Sequence, residues 1–296
     1  MTLHPQAVAA LELWSQGPAV TSLGPEGIRA RRAEACAEAA AEPREPVDRV
    51  EDVDAGGVPA RLYRPAGAER TLLFLHGGGF VFGEVETHDA QSRRLAKRTA
   101  SAVLTVDYRR PPEHPFPAAP DDADAALRWL LDRAPSLGLD PGRVVAVGDS
   151  AGGNLALVAA LRNPGVLAAT VLVYPFLDPG TAAASYARTD GGLTPDEAAW
   201  YWQHYARGPE DLADPDLAPA LSSRLAICPP TLVQVAEHDV LVDEDRDLAR
   251  RLEDAGVPVE LRCYAGMVHG FWRHPALFDA AEDALADIAA FLLRRV

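Results

Sequence analysis

Short, almost wholly apolar runs recur along this chain, each followed by a segment with helical spacing. That alternation narrows the folds open to it more than any other feature. Thr71 to Leu75 reads TLLFL, Ala102 to Val106 reads AVLTV, and Val144 to Val147 reads VVAV. Helical patterns follow at about His88 to Thr99, Ala118 to Leu131 and Ala151 to Leu161. Val171 to Tyr174, Thr231 to Ala236 and Val259 to Tyr264 extend the strand set, and an amphipathic helix from about Ala276 to Leu293 closes the chain. A continuous Val/Leu run suits a strand covered on both faces, and strands that alternate with helices pair in parallel. The expected class is α/β, a mostly parallel central sheet flanked by helices.

Three segments stand outside that rhythm. Residues from about Pro5 to Ala41 read as helical, up to Pro43 and Pro46. Val47 to Tyr63 alternates around Gly56-Gly57, the signature of a hairpin. Between Tyr174 and Thr231 no strand is expected, which is too long for an ordinary connection; it holds the aromatic helical stretch TPDEAAWYWQHYA at Thr194 to Ala206. An insertion of that kind, late in an α/β sheet, reads as a lid over the open ends of the strands. The expected division is residues 1–45 as a helical N-terminal part of a cap, 46–179 as the first part of the core, 180–225 as the cap insertion, and 226–296 as the second part of the core.

Composition removes several function classes. A chain of 296 residues with 48% hydrophobic content can bury a core without disulfides or a structural metal. A formal net charge of -15 argues against nucleic acid and anionic membrane surfaces as partners. Cys36, Cys228 and Cys263 are odd in number and widely spaced, so neither a disulfide framework nor a zinc site is expected, and no histidine pair has HExxH spacing. The start MTLHPQAVAALELW does not read as a secretory signal, and no apolar stretch nears the roughly 20 residues of a membrane span. A cytoplasmic protein is expected.

Chemistry concentrates at four places. Gly148-Asp149-Ser150-Ala151-Gly152 lies between a buried strand and an Ala/Leu-rich helix. Gly-x-Ser-x-Gly alone is a weak signal, but at a strand-to-helix turn it lifts a serine Oγ above the sheet at the positive end of the following helix. His76-Gly77-Gly78-Gly79-Phe80 follows the TLLFL strand, where backbone N–H groups can face a developing oxyanion with no Cβ in the way. The Ala151 N–H is the natural companion donor. A phosphate loop is a poorer reading, since Walker A needs a Gly-Lys pair and Lys97 has no glycine before it.

Serine needs a histidine to take its proton, and that histidine needs a carboxylate to hold its tautomer. A nucleophile on such a turn takes acid and base from loops after later strands, in the chain order Ser, acid, His. Asp239 follows TLVQVA and His269 follows VELRCY, as that order requires. Glu237, Asp243, His238 and His274 are rivals by position. His76 reads as structural, holding the glycine loop.

With these residues assembled, the chain resembles the bacterial hormone-sensitive-lipase-like esterases, a branch of the α/β-hydrolases. The resemblance runs from about Leu72 to Phe271 and rests on HGGGF at His76 to Phe80, DYRRPPEHPFPAAPDD at Asp107 to Asp122, GDSAGGN at Gly148 to Asn154, YPFLD at Tyr174 to Asp178, the Asp239 loop, and HGF at His269 to Phe271. It implies the α/β-hydrolase fold with a helical cap, hydrolysis of small-molecule carboxylic esters without a cofactor, and an oxyanion hole of Gly78, Gly79 and Ala151. One departure is Arg110-Pro111, where the family usually reads Leu-Ala; it bears on local loop shape and leaves the chemistry standing.

The expected function is a serine carboxylesterase for short- to medium-chain esters, working through an acyl-enzyme on Ser150 with Asp239 and His269. Phe80, Phe82, Trp200, Trp202 and Tyr205 are candidates to line the substrate pocket, with Trp14 and Tyr201 beside them; packing the cap is the plainer role for the insertion aromatics. Two alternatives stay open: a pathway-specific hydrolase or acyltransferase acting on an amide, lactone or acetyl group, and a ligand-binding protein on an inactive scaffold. An intact Ser/Asp/His set weighs against the latter. A homodimer through an edge strand or the terminal helix is compatible with any of them.

Overall fold

The computed structural model describes residues 2–188 and 191–296. Eight strands form one sheet: β1 (Arg49–Asp54), β2 (Pro59–Arg64), β3 (Thr71–Leu75), β4 (Ala102–Val106), β5 (Val144–Asp149), β6 (Ala169–Val173), β7 (Thr231–Ala236) and β8 (Val259–Tyr264). Their spatial order is β1-β2-β4-β3-β5-β6-β7-β8. β2 runs antiparallel to both β1 and β4, and every pair from β4 to β8 is parallel. The hairpin expected around Gly56-Gly57 is the β1–β2 pair, closed at Asp54 opposite Pro59.

The largely apolar inner strands β3 to β7 are covered on both sides, as their sequences require. Successive side chains of a strand point to opposite faces. Leu73 and Leu75 of β3 join a core with α4 (Ala118–Arg133), α5 (Ala151–Arg162) and α7 (Val242–Asp254). Leu72 and Phe74 join the opposite core, with α3 (Asp89–Thr99) and α8 (Ala280–Arg295). The chain is thus a three-layer α/β/α structure. Among the described residues no helix is long and apolar enough to cross a membrane.

Beyond shifts of one or two residues at several ends, two helical boundaries differ from expectation for local reasons. The N-terminal helical region is two helices, α1 (Pro5–Trp14) and α2 (Pro25–Ala40), separated by a short 3-10 turn at Val20–Ser22. Pro18 and Pro25 carry no N–H to continue a preceding helix, and Pro25 instead takes the first turn of α2. The final helix begins at Ala280 rather than Ala276, because a turn precedes it in which the amides of Leu277 and Phe278 bond back to the His274 carbonyl.

Among the described residues between β6 and β7 the one α-helix is α6 (Pro195–Tyr205). Its start is set by a capping box: Thr194 Oγ1 accepts from the Glu197 amide, and Glu197 Oε2 accepts from the Thr194 amide. Trp200 meets Ile28 of α2 and Val81 in a small separate cluster. The unusual Arg110-Pro111 pair also reaches the N-terminal helices, since Arg32 of α2 donates to the Pro111 carbonyl. Arg110 itself pairs with Asp107 at 2.6 Å.

Candidate active site

The Gly-x-Ser-x-Gly turn joins β5 to α5 as expected, with Ser150 at φ 54° and ψ -119°. A serine in that conformation is strained and stays there only because its surroundings hold it. Its N–H donates to the Val173 carbonyl at 2.9 Å, and its carbonyl accepts from Phe176 N at 3.0 Å and Asn154 N at 3.1 Å. Asn154, fully buried, donates through Nδ2 to the carbonyls of Phe176 (2.8 Å) and Leu217 (2.9 Å), tying the turn to the segment beyond β6. Gly152 packs against the Leu75 carbonyl so closely that a Cβ would collide with backbone. The second motif glycine is therefore a demand of β3 passing beneath the turn.

Ser150, His269 and Asp239 come together. His269 Nε2 lies 3.0 Å from Ser150 Oγ, and His269 Nδ1 lies 2.6 Å from Asp239 Oδ2. Asp239 is fully buried, and its Oδ1 accepts from the Leu241 amide at 3.0 Å. With the carboxylate acting as acceptor, Nδ1 carries the proton and Nε2 is left to accept from the serine. His269 is anchored through its own amide, 2.7 Å from the Gly191 carbonyl, and the Tyr174 ring sits 4.6 Å from its imidazole.

The rivals are engaged elsewhere. Glu237 Oε2 accepts from the Gly266 amide, and Asp243 Oδ2 from the Ser185 amide, each at 2.9 Å. His238 is buried with Nε2 3.9 Å from Glu237 Oε2. The His274 ring lies 5.3 Å from the Trp14 ring. His76 is stacked between His88 (4.8 Å) and Tyr108 (4.3 Å), and its Nδ1–H donates to the Gly77 carbonyl at 2.9 Å. Burial pushes its pKa well below the ordinary value and keeps the ring neutral under the glycine loop.

That loop is shaped by three restraints. Gly77 N donates to Asp149 Oδ1 at 2.9 Å, Phe82 N donates to the Gly78 carbonyl at 2.7 Å, and the Tyr201 ring lies over Gly79. Gly78 has φ 120° and Gly79 φ 59°, a region that side-chain-bearing residues avoid. Among the described residues, no protein acceptor takes the amide hydrogens of Gly78, Gly79 or Ala151. Burial pushes the Asp149 carboxyl upward in pKa, opposed first by the positive charge of Arg273.

Two cavities meet at His269. The inner one, about 170 Å³, is bordered by Ser150, Gly78 and Gly79 and walled by Phe176, Leu193 and Tyr201. The outer one, about 440 Å³, opens between α1, α2 and the loop after β3, with Trp14 and Phe82 on its walls. Of the aromatic candidates, Phe82 borders the outer cavity, but Phe80, Trp200, Trp202 and Tyr205 border neither. Phe80 stacks on Tyr205 at 3.7 Å, and Trp202 packs on Phe176 at 4.2 Å; all three candidates are buried in the main hydrophobic core. The helical period explains the exchange: Trp202 and Tyr205, three residues apart, share the inward face, while Tyr201 is turned towards the serine. Tyr201 had equal standing with its neighbours in the sequence. Phe176 lay in the YPFLD motif with no pocket role read for it, and Leu193 and Arg273 carried no sequence signal of their own.

The chain is similar to several known proteins. A family model described as alpha/beta hydrolase fold matches residues 72–273. An ethyl acetate hydrolase of Pseudomonas putida is 36% identical, with 99% of each chain covered. An acetyl-hydrolase of Streptomyces hygroscopicus is 38% identical, with 81% of each chain covered. Among solved structures, a hyperthermophilic esterase from Pyrobaculum calidifontis superposes with a TM-score of 0.89 at 36% identity, covering 99% of this chain and 98% of that one.

Proposed function

The chain belongs to the α/β-hydrolase family, in its hormone-sensitive-lipase-like esterase branch, and is a serine hydrolase acting on carboxylic esters; on that premise we propose that Ser150 is its nucleophile, His269 its general base and Asp239 the orienting acid. The observation that carries this reading is the hydrogen-bonded chain from Asp239 through His269 to Ser150, beside three unengaged backbone donors.

His269 Nε2 takes the hydroxyl proton as Ser150 Oγ attacks the ester carbonyl. The amides of Gly78, Gly79 and Ala151 then receive the negative oxygen, each such donor contributing roughly 10²–10³ in rate. Collapse of the tetrahedral intermediate expels the alcohol, which takes the proton from His269 and leaves an acyl group on Ser150. Water, deprotonated by the same histidine, attacks the acyl-enzyme and releases the acid. Asp239 holds the imidazole in place and stabilises the imidazolium.

The inner cavity is read as the acyl site and the outer as the alcohol site. His269 must reach the leaving oxygen, and it borders both. At about 170 Å³ the inner cavity falls below the volume of sites for larger ligands, which favours short acyl groups. The Pseudomonas and Streptomyces relatives, an ethyl acetate hydrolase and an acetyl-hydrolase, point the same way. The N-terminal helices and the segment from 180 to 225 are read as one cap, supported by the cluster that Trp200 forms with Ile28. Three free thiols suit a reducing cytoplasm. The partner is a small-molecule ester; self-pairing along the exposed edge of β8 is compatible with this scheme, and sedimentation would reveal it.

Hydrolysis of p-nitrophenyl acetate through decanoate by the native protein and by Ser150→Ala tests the reading. Turnover highest at acetate to butyrate, and lost by several orders of magnitude in the variant, is expected. A profile rising towards decanoate would overturn the assignment of the inner cavity, and an active Ser150→Ala would overturn the nucleophile.

A further inference from the structure

One charge in this site has no ion-pair or hydrogen-bond partner among the described residues and no part in the proposed catalytic cycle. Arg273 ends the short 3-10 turn Phe271–Arg273, four residues beyond His269, and is half-buried. It borders both cavities, one of four residues they share. Among the described residues no carboxylate lies within ion-pair distance of its guanidinium, and its side chain makes no hydrogen bond.

The other cations of the outer cavity are engaged. Arg31 bonds Glu34 at 2.9 Å, and Arg32 bonds Glu113 at 3.0 Å and the Val81 carbonyl at 2.8 Å. Among the acids, Glu84 holds the Cys36 thiol at 3.0 Å and lies 3.7 Å from Arg110, Glu38 lies 3.9 Å from Arg31, and Glu42 is exposed just beyond α2. Glu197, on the inner cavity, is committed to the capping box of α6. Its positive charge is also felt at the buried Asp149, where Arg273 is the foremost influence opposing the burial-driven rise of that carboxyl's pKa. A guanidinium taken partly out of water without a carboxylate costs free energy that a bound anion recovers through charge-assisted, forked hydrogen bonds.

We propose that Arg273 binds an anionic group on the alcohol part of the substrate, so that the preferred esters join a short acyl group to an alcohol or phenol bearing a carboxylate. This rests on the assignment of the two cavities above. The alcohol leaves past His269, and Arg273 stands on the wall where the inner cavity opens into the outer one. The surrounding protein is strongly acidic and repels an anion at long range. Arg273 therefore acts at contact distance, as a selector among esters already in the site.

The test compares 4-acetoxybenzoate with its neutral methyl ester in the native protein, Arg273→Gln and Arg273→Lys at low salt. The intrinsic difference in leaving group cancels when the ratio of the two kcat/KM values is compared across proteins. Replacing Arg273 with Gln should lower kcat/KM for the anionic ester roughly ten- to hundredfold, the range for a hydrogen-bonded charge, while the neutral ester changes less than about threefold. Lysine, which keeps the charge without the fork, should retain part of the preference. The native protein supplies a second readout. 4-Hydroxybenzoate should compete with p-nitrophenyl acetate at least tenfold better than 4-hydroxybenzamide, and added salt should narrow the gap. Equal losses on both esters, an unchanged ratio, or equal inhibition by acid and amide would overturn the role of Arg273. Failure of the hydrolase reading would look different, because the native protein would then leave the neutral ester intact as well.

Discussion

Replacing Asp239 by asparagine separates the charge of the orienting group from its shape, and the structure dictates how the amide must sit. Asp239 Oδ1 accepts from the Leu241 amide, and Oδ2 faces His269 Nδ1 at 2.6 Å. Both neighbours are donors in the active form. An asparagine has one acceptor and must keep it on the buried Leu241 N–H, because an amide NH₂ there would set two donors against each other. Its NH₂ then faces Nδ1, forces that nitrogen to accept, and moves the imidazole proton to Nε2. In that tautomer Nε2 cannot take the Ser150 proton. Lost stabilisation of the imidazolium adds to this: opposite charges centred about 4 Å apart at an effective dielectric near 20 interact by about 4 kcal/mol, close to three decades of rate. We expect kcat on p-nitrophenyl acetate to fall about 10³–10⁴-fold in Asp239→Asn with KM little changed, since neither effect touches ground-state binding. Steady-state kinetics provide the assay, with circular dichroism and a melting curve to establish that the variant is folded. A loss below tenfold in a folded variant would refute the tautomer argument, and so would a loss confined to KM.

Gly79→Ala should lower kcat roughly 10²–10³-fold, because a Cβ there collides with the Tyr201 ring at a φ of 59°; adding Tyr201→Ala should restore part of the rate, and no restoration would show that backbone strain alone is responsible. Asn154→Ala leaves the carbonyls of Phe176 and Leu217 without their buried donor, and urea titration should show a loss of about 2–4 kcal/mol. Glu244, buried beside Tyr186, has its pKa pushed up to about 8 chiefly by burial. The folded carboxyl therefore keeps its proton up to that pH while the unfolded chain releases it near about 4.3. Unfolding in that window sheds a proton, so this group's contribution is present at low pH and lost as pH rises through the folded value. Glu244→Gln, which has nothing to titrate, should gain stability over the native protein between pH 5 and pH 9, on the order of 1–3 kcal/mol by denaturant titration; a constant difference across that range would show that Glu244 is ionised in the fold.

Much of the architecture was legible because the inner strands of the sheet are apolar at most positions, which a sheet covered on both faces explains. Thr71–Leu75, Ala102–Val106, Thr231–Ala236 and Val259–Tyr264 fall where the runs place them. The Ser150, Asp239 and His269 positions were legible for a different reason: each follows one of those strands, so the sheet brings their loops to one end. Legibility ended where packing between distant segments decides the outcome. Which of Trp200, Tyr201, Trp202 and Tyr205 meets the cavity depends on the rotation of α6 against Phe80, Phe176 and α2, and no local pattern encodes that. The break between α1 and α2 was written in Gly17-Pro18 and Gly24-Pro25, yet Ala and Leu spacing on either side masks it. Arg273 stands out only by what it lacks among the described residues, an ion-pair or hydrogen-bond partner, and a sequence cannot display that.

The most direct measurement is covalent capture of the nucleophile. The protein would be incubated with a fluorophosphonate, its intact mass recorded, and the adduct placed by peptide mapping. One equivalent added, carried by Ser150, with turnover of p-nitrophenyl acetate falling in proportion to occupancy, is the expected result. An adduct on another residue, or full esterase activity in protein labelled at Ser150, would contradict the assignment of Ser150 as the reacting group.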